Sequence, residues 1–227
     1  MVLGVDGCKN GWIAISLDES GRLDGALTAL SLEKVFEGVP EVAVAGVDMP
    51  LHLLDAPTRP ADLLARKALG PNRGRSVFPA LPHFVITEEW PAEDFETINR
   101  ECRARYDRAF SRQSLALRAK IAEVNTAFRA GHPVIEVHPE LSFAAMNGGK
   151  ALEFSKKSWG GLEERLALLN SVGITLDQGL PDDVRRLAPD DLVDAAAAAW
   201  SAFRYRKGTA RSLPNNPGST VTPRIWS

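Results

Sequence analysis

The stretch Val42-Ala43-Val44-Ala45-Gly46-Val47-Asp48 decides the fold. It stays apolar until its final acid and lacks the alternation of a half-exposed strand, so it reads as a central strand covered on both faces. Central strands of this kind belong to sheets packed between helices. Val2-Leu3-Gly4-Val5-Asp6 reads the same way, a buried strand that ends in an acid and is followed by Gly7.

Between these two stretches, Asn10-Gly11 marks a turn, Trp12 to Leu17 a second strand, Asp18 to Gly21 another turn and Leu23 to Leu30 a third strand. The start of the chain is therefore an expected antiparallel meander. Ser31 is placed to cap a short helix with Leu32, Val35 and Phe36 on its apolar face, ended by Gly38 and Pro40. After Asp48, prolines recur at 57, 60, 71, 79, 82 and 91. Residues 52–95 or so read as an insertion, with a short helix near 60–69 and a loop through Phe84. Helical periodicity runs from Thr97 to Ala130, with a break near Ser111 and a stop at Gly131. Pro133 to Glu140 is expected to be a strand entering a loop, and Leu162 to Asn170 an amphipathic helix. Asp190 is placed to cap a last helix running to about Tyr205, whose alanines read as good helix formers. The order predicts an α/β domain over residues 1–206: a mixed five-stranded sheet flanked by helices, with a helical and loop insertion after the fourth strand. Residues 207–227 contain no acid and are expected to form an irregular tail.

Composition narrows the class. Apolar residues make up 44% and charged residues 25% of 227 positions, the balance of a soluble globular domain rather than a disordered or membrane chain. The net charge of −2 gives no global positive field, so any nucleic-acid grip must be a local patch. Cys8 and Cys102 form neither a metal motif nor a disulfide framework. With no basic leader before Val2 and no apolar run near ~20 residues, a cytoplasmic location is expected.

The candidate chemistry lies in acids. Singly, Asp6 before Gly7 and Asp48 before Met49-Pro50 each fit a turn after a strand. Together, two carboxylates at the ends of buried strands repel and desolvate one another unless a cation lies between them. Oxygen ligands suit magnesium or manganese. Asp191 and Asp194 share a helix face, and Asp194 enters the apolar stretch Ala195 to Trp200, where an unpartnered carboxylate is expensive. Asp190 and Asp191 also fit simple first-turn acids. In Glu136-Val137-His138-Pro139-Glu140, residues 136, 138 and 140 would share one face of a strand and could bind metal or move protons. Arg73, Arg75 and Ser76 lie in a Gly/Pro-rich loop suited to phosphate oxygens, or simply to solvent.

Five blocks carry a resemblance: Val5-Asp6-Gly7-Cys8-Lys9-Asn10-Gly11-Trp12, Val47-Asp48-Met49-Pro50-Leu51, Ser76-Val77-Phe78-Pro79, Glu136 to Glu140 and Asp191-Leu192-Val193-Asp194-Ala195. They resemble the domain of unknown function 429 family, regarded as predicted nucleases of the RNase H-like superfamily. The likeness implies an RNase H-like sheet and two-metal phosphodiester hydrolysis. Asp6, Asp48, Asp191 and Asp194 would hold Mg2+ or Mn2+, with Glu136 as an extra acid and His138 as a proton shuttle. Arg73, Arg75, Ser76 and Lys9 would face a nucleic-acid substrate. One departure is the first helix, where Glu33 and Glu37 give no clear match to the acid expected there. Two rivals remain at this level. One is an ATP-dependent phosphotransferase of the actin/hexokinase type, which also places Asp-Gly after its first strand but needs a second such loop that is not seen. The other is a non-catalytic nucleic-acid-binding module on the same scaffold.

Overall fold

The computed structural model describes residues 1–88, 90, 94–176, 179–215 and 223–227. Pro91 and residues 216–222 of the expected tail lie outside the described residues. The meander forms as expected: β1 (Val2–Cys8), β2 (Gly11–Leu17) and β3 (Leu23–Ala29) pair antiparallel in turn. Ser31 caps α1 (Leu32–Gly38), its hydroxyl accepting from the Lys34 amide. β4 (Val44–Val47) then pairs parallel to β1, and β5 (Val134–Glu136) parallel to β4. The sheet order is β3-β2-β1-β4-β5, a mixed five-stranded sheet flanked by helices.

Between β4 and β5 the chain is mostly helical. It forms α2 (Pro60–Arg73), α3 (His83–Thr87), α4 (Phe95–Tyr106), α5 (Arg112–Ala116) and α6 (Arg118–Arg129). The loop expected through Phe84 is thus partly helix, closed on a core of Leu81, Phe84 and Val85. The break near Ser111 is real: Ser111 caps α5 through the Ser114 amide. Two cores result. One face of the sheet carries Leu3, Val5, Ala45 and Val47 against α1, α4 and α6. The other carries Val2, Ile13, Ile15 and Val44 against the last helix, Pro189–Arg206.

The strand expected over 133–140 is shorter, because Pro139 opens a helix: α7 (Pro139–Met146). It is followed by α8 (Trp159–Ser171) and α9 (Pro189–Arg206). Asp190 does not cap α9; Ala188 holds that position and Asp190 lies in the first turn. The tail is not wholly irregular. β6 (Ser212–Leu213) pairs with β7 (Ile225–Trp226), and Trp226 bridges to Val137 beside β5. Ile225 fills a small third core with Leu69, Val77 and Leu141, which holds the tail against α2 and α7. Both cysteines are buried and free, and among the described residues no helix is long and apolar enough to cross a membrane.

The alanines of α9 do more than favour a helix. A Cβ added to Gly4 would fall 1.9 Å from the Ala199 amide nitrogen and 2.1 Å from the Ala195 carbonyl oxygen. One added to Gly46 would fall 2.7 Å from the Ala198 carbonyl oxygen. Glycines on β1 and β4 facing alanines on α9 bring helix backbone almost onto strand backbone, closer than any larger pair would allow.

Candidate metal centre

The site follows from that close approach. Side chains alternate along a strand, so Asp6 lies on the same face as Gly4, and Asp48 on the same face as Gly46. The last paired residues of β1 and β4 are Val5 and Val47, which sets Asp6 and Asp48 side by side just beyond the ladder. On α9, Asp194 lies one turn before Ala198 and therefore over the same strand ends. Carboxylate oxygens of Asp6, Asp48 and Asp194 all lie within 4.8 Å of one another. Asp194 is only 1% exposed, and its Oδ1 has no hydrogen-bond partner among the described residues.

Such a cluster resists ionisation. Burial, then the neighbouring Asp48 and Asp194, push the Asp6 carboxyl well above the usual range, with Lys156 opposing. Burial also raises Asp48, against the pull of His138 and Lys156. Asp194 is raised to about 6 by burial, again opposed by Lys156. The opposing ammonium arrives on the segment before α8. Lys156 Nζ pairs with Asp194 and lies 3.9 Å from Asp190, while Lys157 pairs with Asp190. Burial works to lower Lys156, but Asp194, Asp48 and Asp6 outweigh it and hold its ammonium above the ordinary lysine range. One ammonium among three carboxylates still leaves an excess of negative charge. With the unpartnered oxygen, that excess makes the group a fitting cradle for a hard divalent cation.

The other expected residues divide. Asp191 lines the same cavity but stays at its half-exposed rim, outside the three-acid cluster, and burial and Asp190 raise its carboxyl. Asp190 is the more buried of the two, because α9 turns its face towards Lys156 and Lys157.

Glu136 does not join the cluster. It is paired in register with Val47, and Val47 faces the opposite side of the sheet from Asp48. There its two oxygens accept 2.6 and 2.8 Å bonds from Arg59, and the Leu51 amide donates at 2.7 Å. Arg59 is 3% exposed and also pairs with Asp62 at 2.6 Å, so the three close a buried network that ties β5 to the start of α2. The shared strand face expected for 136, 138 and 140 is also absent, since Glu140 sits in the first turn of α7.

His138 does reach the site. Its Nε2 lies 3.4 Å from the Ser76 carbonyl, its Nδ1 is buried without a partner among the described residues, and its charge acts on Asp48. Arg73 and Ser76 line the acid cavity; Arg75 is exposed and turned to a second cavity; Lys9 is exposed after β1 and lines neither.

Of two further participants, Glu140 was read on a strand and Lys156 was passed over in the sequence. Glu140, buried and bonded to the fully buried Arg165, acts electrostatically on Asp48 and Asp194 and leaves Oε2 unpartnered among the described residues. The apolar stretch around it hid a helix, though the carboxylate was a visible signal. Lys156 carried no signal at all, because a loop lysine has no period.

The cavity over these acids has a volume of about 510 Å³. Compared with known proteins, residues 4–219 match the model of a family described as protein of unknown function (DUF429). No curated protein and no solved structure matches the chain.

Proposed function

The chain belongs to the DUF429 family, and we propose that it is a metal-dependent nuclease, hydrolysing phosphodiester bonds at the carboxylate centre of Asp6, Asp48 and Asp194. The observation that carries this reading is the convergence of those three carboxylates within 4.8 Å, with Asp194 Oδ1 buried and unpartnered among the described residues. Lys156 holds Asp194 Oδ2, while Oδ1 stays buried with no partner among the described residues, an acceptor left for a cation. The strand order, with acids on β1, just after β4 and on the last helix, supports the RNase H-like likeness on which the reading also draws.

Asp6, Asp48 and Asp194 would hold Mg2+ or Mn2+, with Asp191 and Glu140 close enough to shape the field around it. A bound divalent cation supplies Lewis acidity towards phosphate oxygens. The chain's own groups supply the rest. Arg73 and Ser76 orient the phosphate from the opposite wall. The Ser76 carbonyl can only accept, so His138 bonds it through a proton on Nε2, and the buried Nδ1 is the ring nitrogen left to exchange a proton at the site. With a cation held there, Lys156 would be displaced from Asp194 and its charge left for the substrate phosphate. Met49, Leu117 and Ile121 give the same cavity an apolar wall.

The test is direct. Full-length protein with Mn2+ or Mg2+ is incubated with labelled single-stranded, duplex and branched DNA and RNA. Cleavage should appear, vanish with chelator and fall about 100-fold or more in Asp6→Asn. A protein inert on every substrate in both metals overturns the reading.

A further inference from the structure

The walls of the acid cavity say what form of nucleic acid it accepts. Asp6 and Asp194 lie at its floor, 7% and 1% exposed. Above them stands the segment after α2, where Val77 and Leu81 are buried but Phe78, in the same wall, is 42% exposed. An aromatic ring left in solvent at the mouth of a charged cavity is a platform for a flat, partly apolar group. The turn 74–76 forms a partition. On one side Arg73 and Ser76 face the acids; on the other, a second cavity of about 640 Å³ is lined by Arg66, Lys67 and Arg75, with no acidic residue in its wall. Lys67 and Arg75 are exposed there, and Arg66 is fixed by a 2.9 Å bond from its Nε to the Val77 carbonyl. The partition thus separates a cavity floored by acids from one lined by cations. A duplex keeps its phosphates on a stiff cylinder, and lowering one onto buried acids costs deformation. An unpaired strand avoids that cost, because its bases splay out and stack on aromatic side chains.

We propose that the substrate is a single-stranded polynucleotide, its reacting nucleotide entering the acid cavity with the base stacked on Phe78 and its neighbouring phosphates crossing the 74–76 turn onto Lys67 and Arg75. This rests on the reading of the acid centre as a phosphodiester hydrolase and adds the class of substrate.

The probe is a fluorescein-labelled oligothymidylate of about twelve nucleotides, followed by anisotropy with Ca2+ in place of Mn2+ to slow cleavage. The unpaired strand should bind at least about tenfold tighter than the same strand in duplex. Phe78→Ala should weaken it about tenfold, and Phe78→Trp should restore it. Lys67→Ala with Arg75→Ala should flatten the slope of log affinity against log salt by about 1.4. All three side chains are exposed, so melting curves should match wild type. Equal binding of duplex, or a Phe78→Ala protein that binds like wild type, overturns the inference even if manganese-dependent cleavage is seen. Thymidine monophosphate competing as well as the strand also overturns it, in favour of a small phosphoester. Phe78-dependent strand binding with no cleavage in any divalent metal supports the strand site and overturns the hydrolytic reading instead.

Discussion

Gly4 and Ala199 meet backbone to backbone: a Cβ on Gly4 would land 1.9 Å from the Ala199 amide nitrogen. That contact fixes how close α9 comes to β1, and so whether Asp194 reaches Asp6. Strand parity places Asp6 on the face of Gly4, and helical phase places Asp194 one turn before Ala198, itself beside Ala199. The spacing of the acids is thus a packing property of small residues some distance from them.

Gly4→Ala should therefore act on both fold and site. The new methyl meets backbone atoms that no rotamer change can move, so the loss of stability should exceed about 3 kcal/mol, above most overpacking substitutions. Gly25→Ala on β3 is the control, because its methyl meets only the Ser16 hydroxyl, at 3.3 Å. Denaturant melts of both variants decide it; a Gly4→Ala protein as stable as Gly25→Ala would refute the packing argument.

The acid centre should give the metal-free protein an unusual pH dependence. Asp194 has a folded pKa of about 6 against an ordinary 3.8, raised by burial. A carboxyl raised in this way favours the fold when protonated. Its contribution is complete below about pH 4 and lost as pH rises through about 6, a difference of up to about 3 kcal/mol. Asp6 and Asp48 are raised too and act in the same direction. In chelator, wild type should lose stability relative to Asp194→Asn between about pH 4 and 6, measured by urea melts. Parallel profiles would mean that Asp194 is not held in a repulsive cluster.

Lys156 is the cation that the chain itself supplies. Lys156→Met removes the ammonium from Asp194, so the metal-free protein should be less stable at neutral pH, while Mn2+ binding by calorimetry should tighten about tenfold. Weaker manganese binding in this variant would show that Lys156 helps to build the metal site instead of competing for it.

Arg59 should behave as a purely structural residue. Arg59→Met leaves Glu136 and Asp62 buried without a counter-charge and should destabilise by about 3–5 kcal/mol. Glu136→Gln should lower stability while leaving the Mn2+ affinity of the folded protein unchanged. A Glu136→Gln protein of wild-type stability that no longer binds manganese would return Glu136 to the metal centre.

Much of this architecture was legible in the sequence. The apolar runs ending at Asp6 and Asp48 could only be covered strands, and Asp194 stood out because a carboxylate entering an alanine stretch is costly to bury. Glu136 misled because strand parity cannot be assigned to a core until register is known; its pairing with Val47 turns it away from the acids. α7 was missed because Pro139, Glu140, Leu141, Ser142, Phe143 and Ala144 are all buried, and a helix buried all round shows no amphipathic period. Asp190 and Asp191 could not be ranked from spacing alone, since the choice depends on the lysine segment that packs across them.

The most direct test of the central claim is a crystal of the full chain soaked in Mn2+, with anomalous scattering recorded at the manganese edge. A peak is expected among the carboxylates of Asp6, Asp48 and Asp194, with Lys156 Nζ moved off Asp194. A soaked crystal with no peak there, and Lys156 still bonded to Asp194, would contradict it.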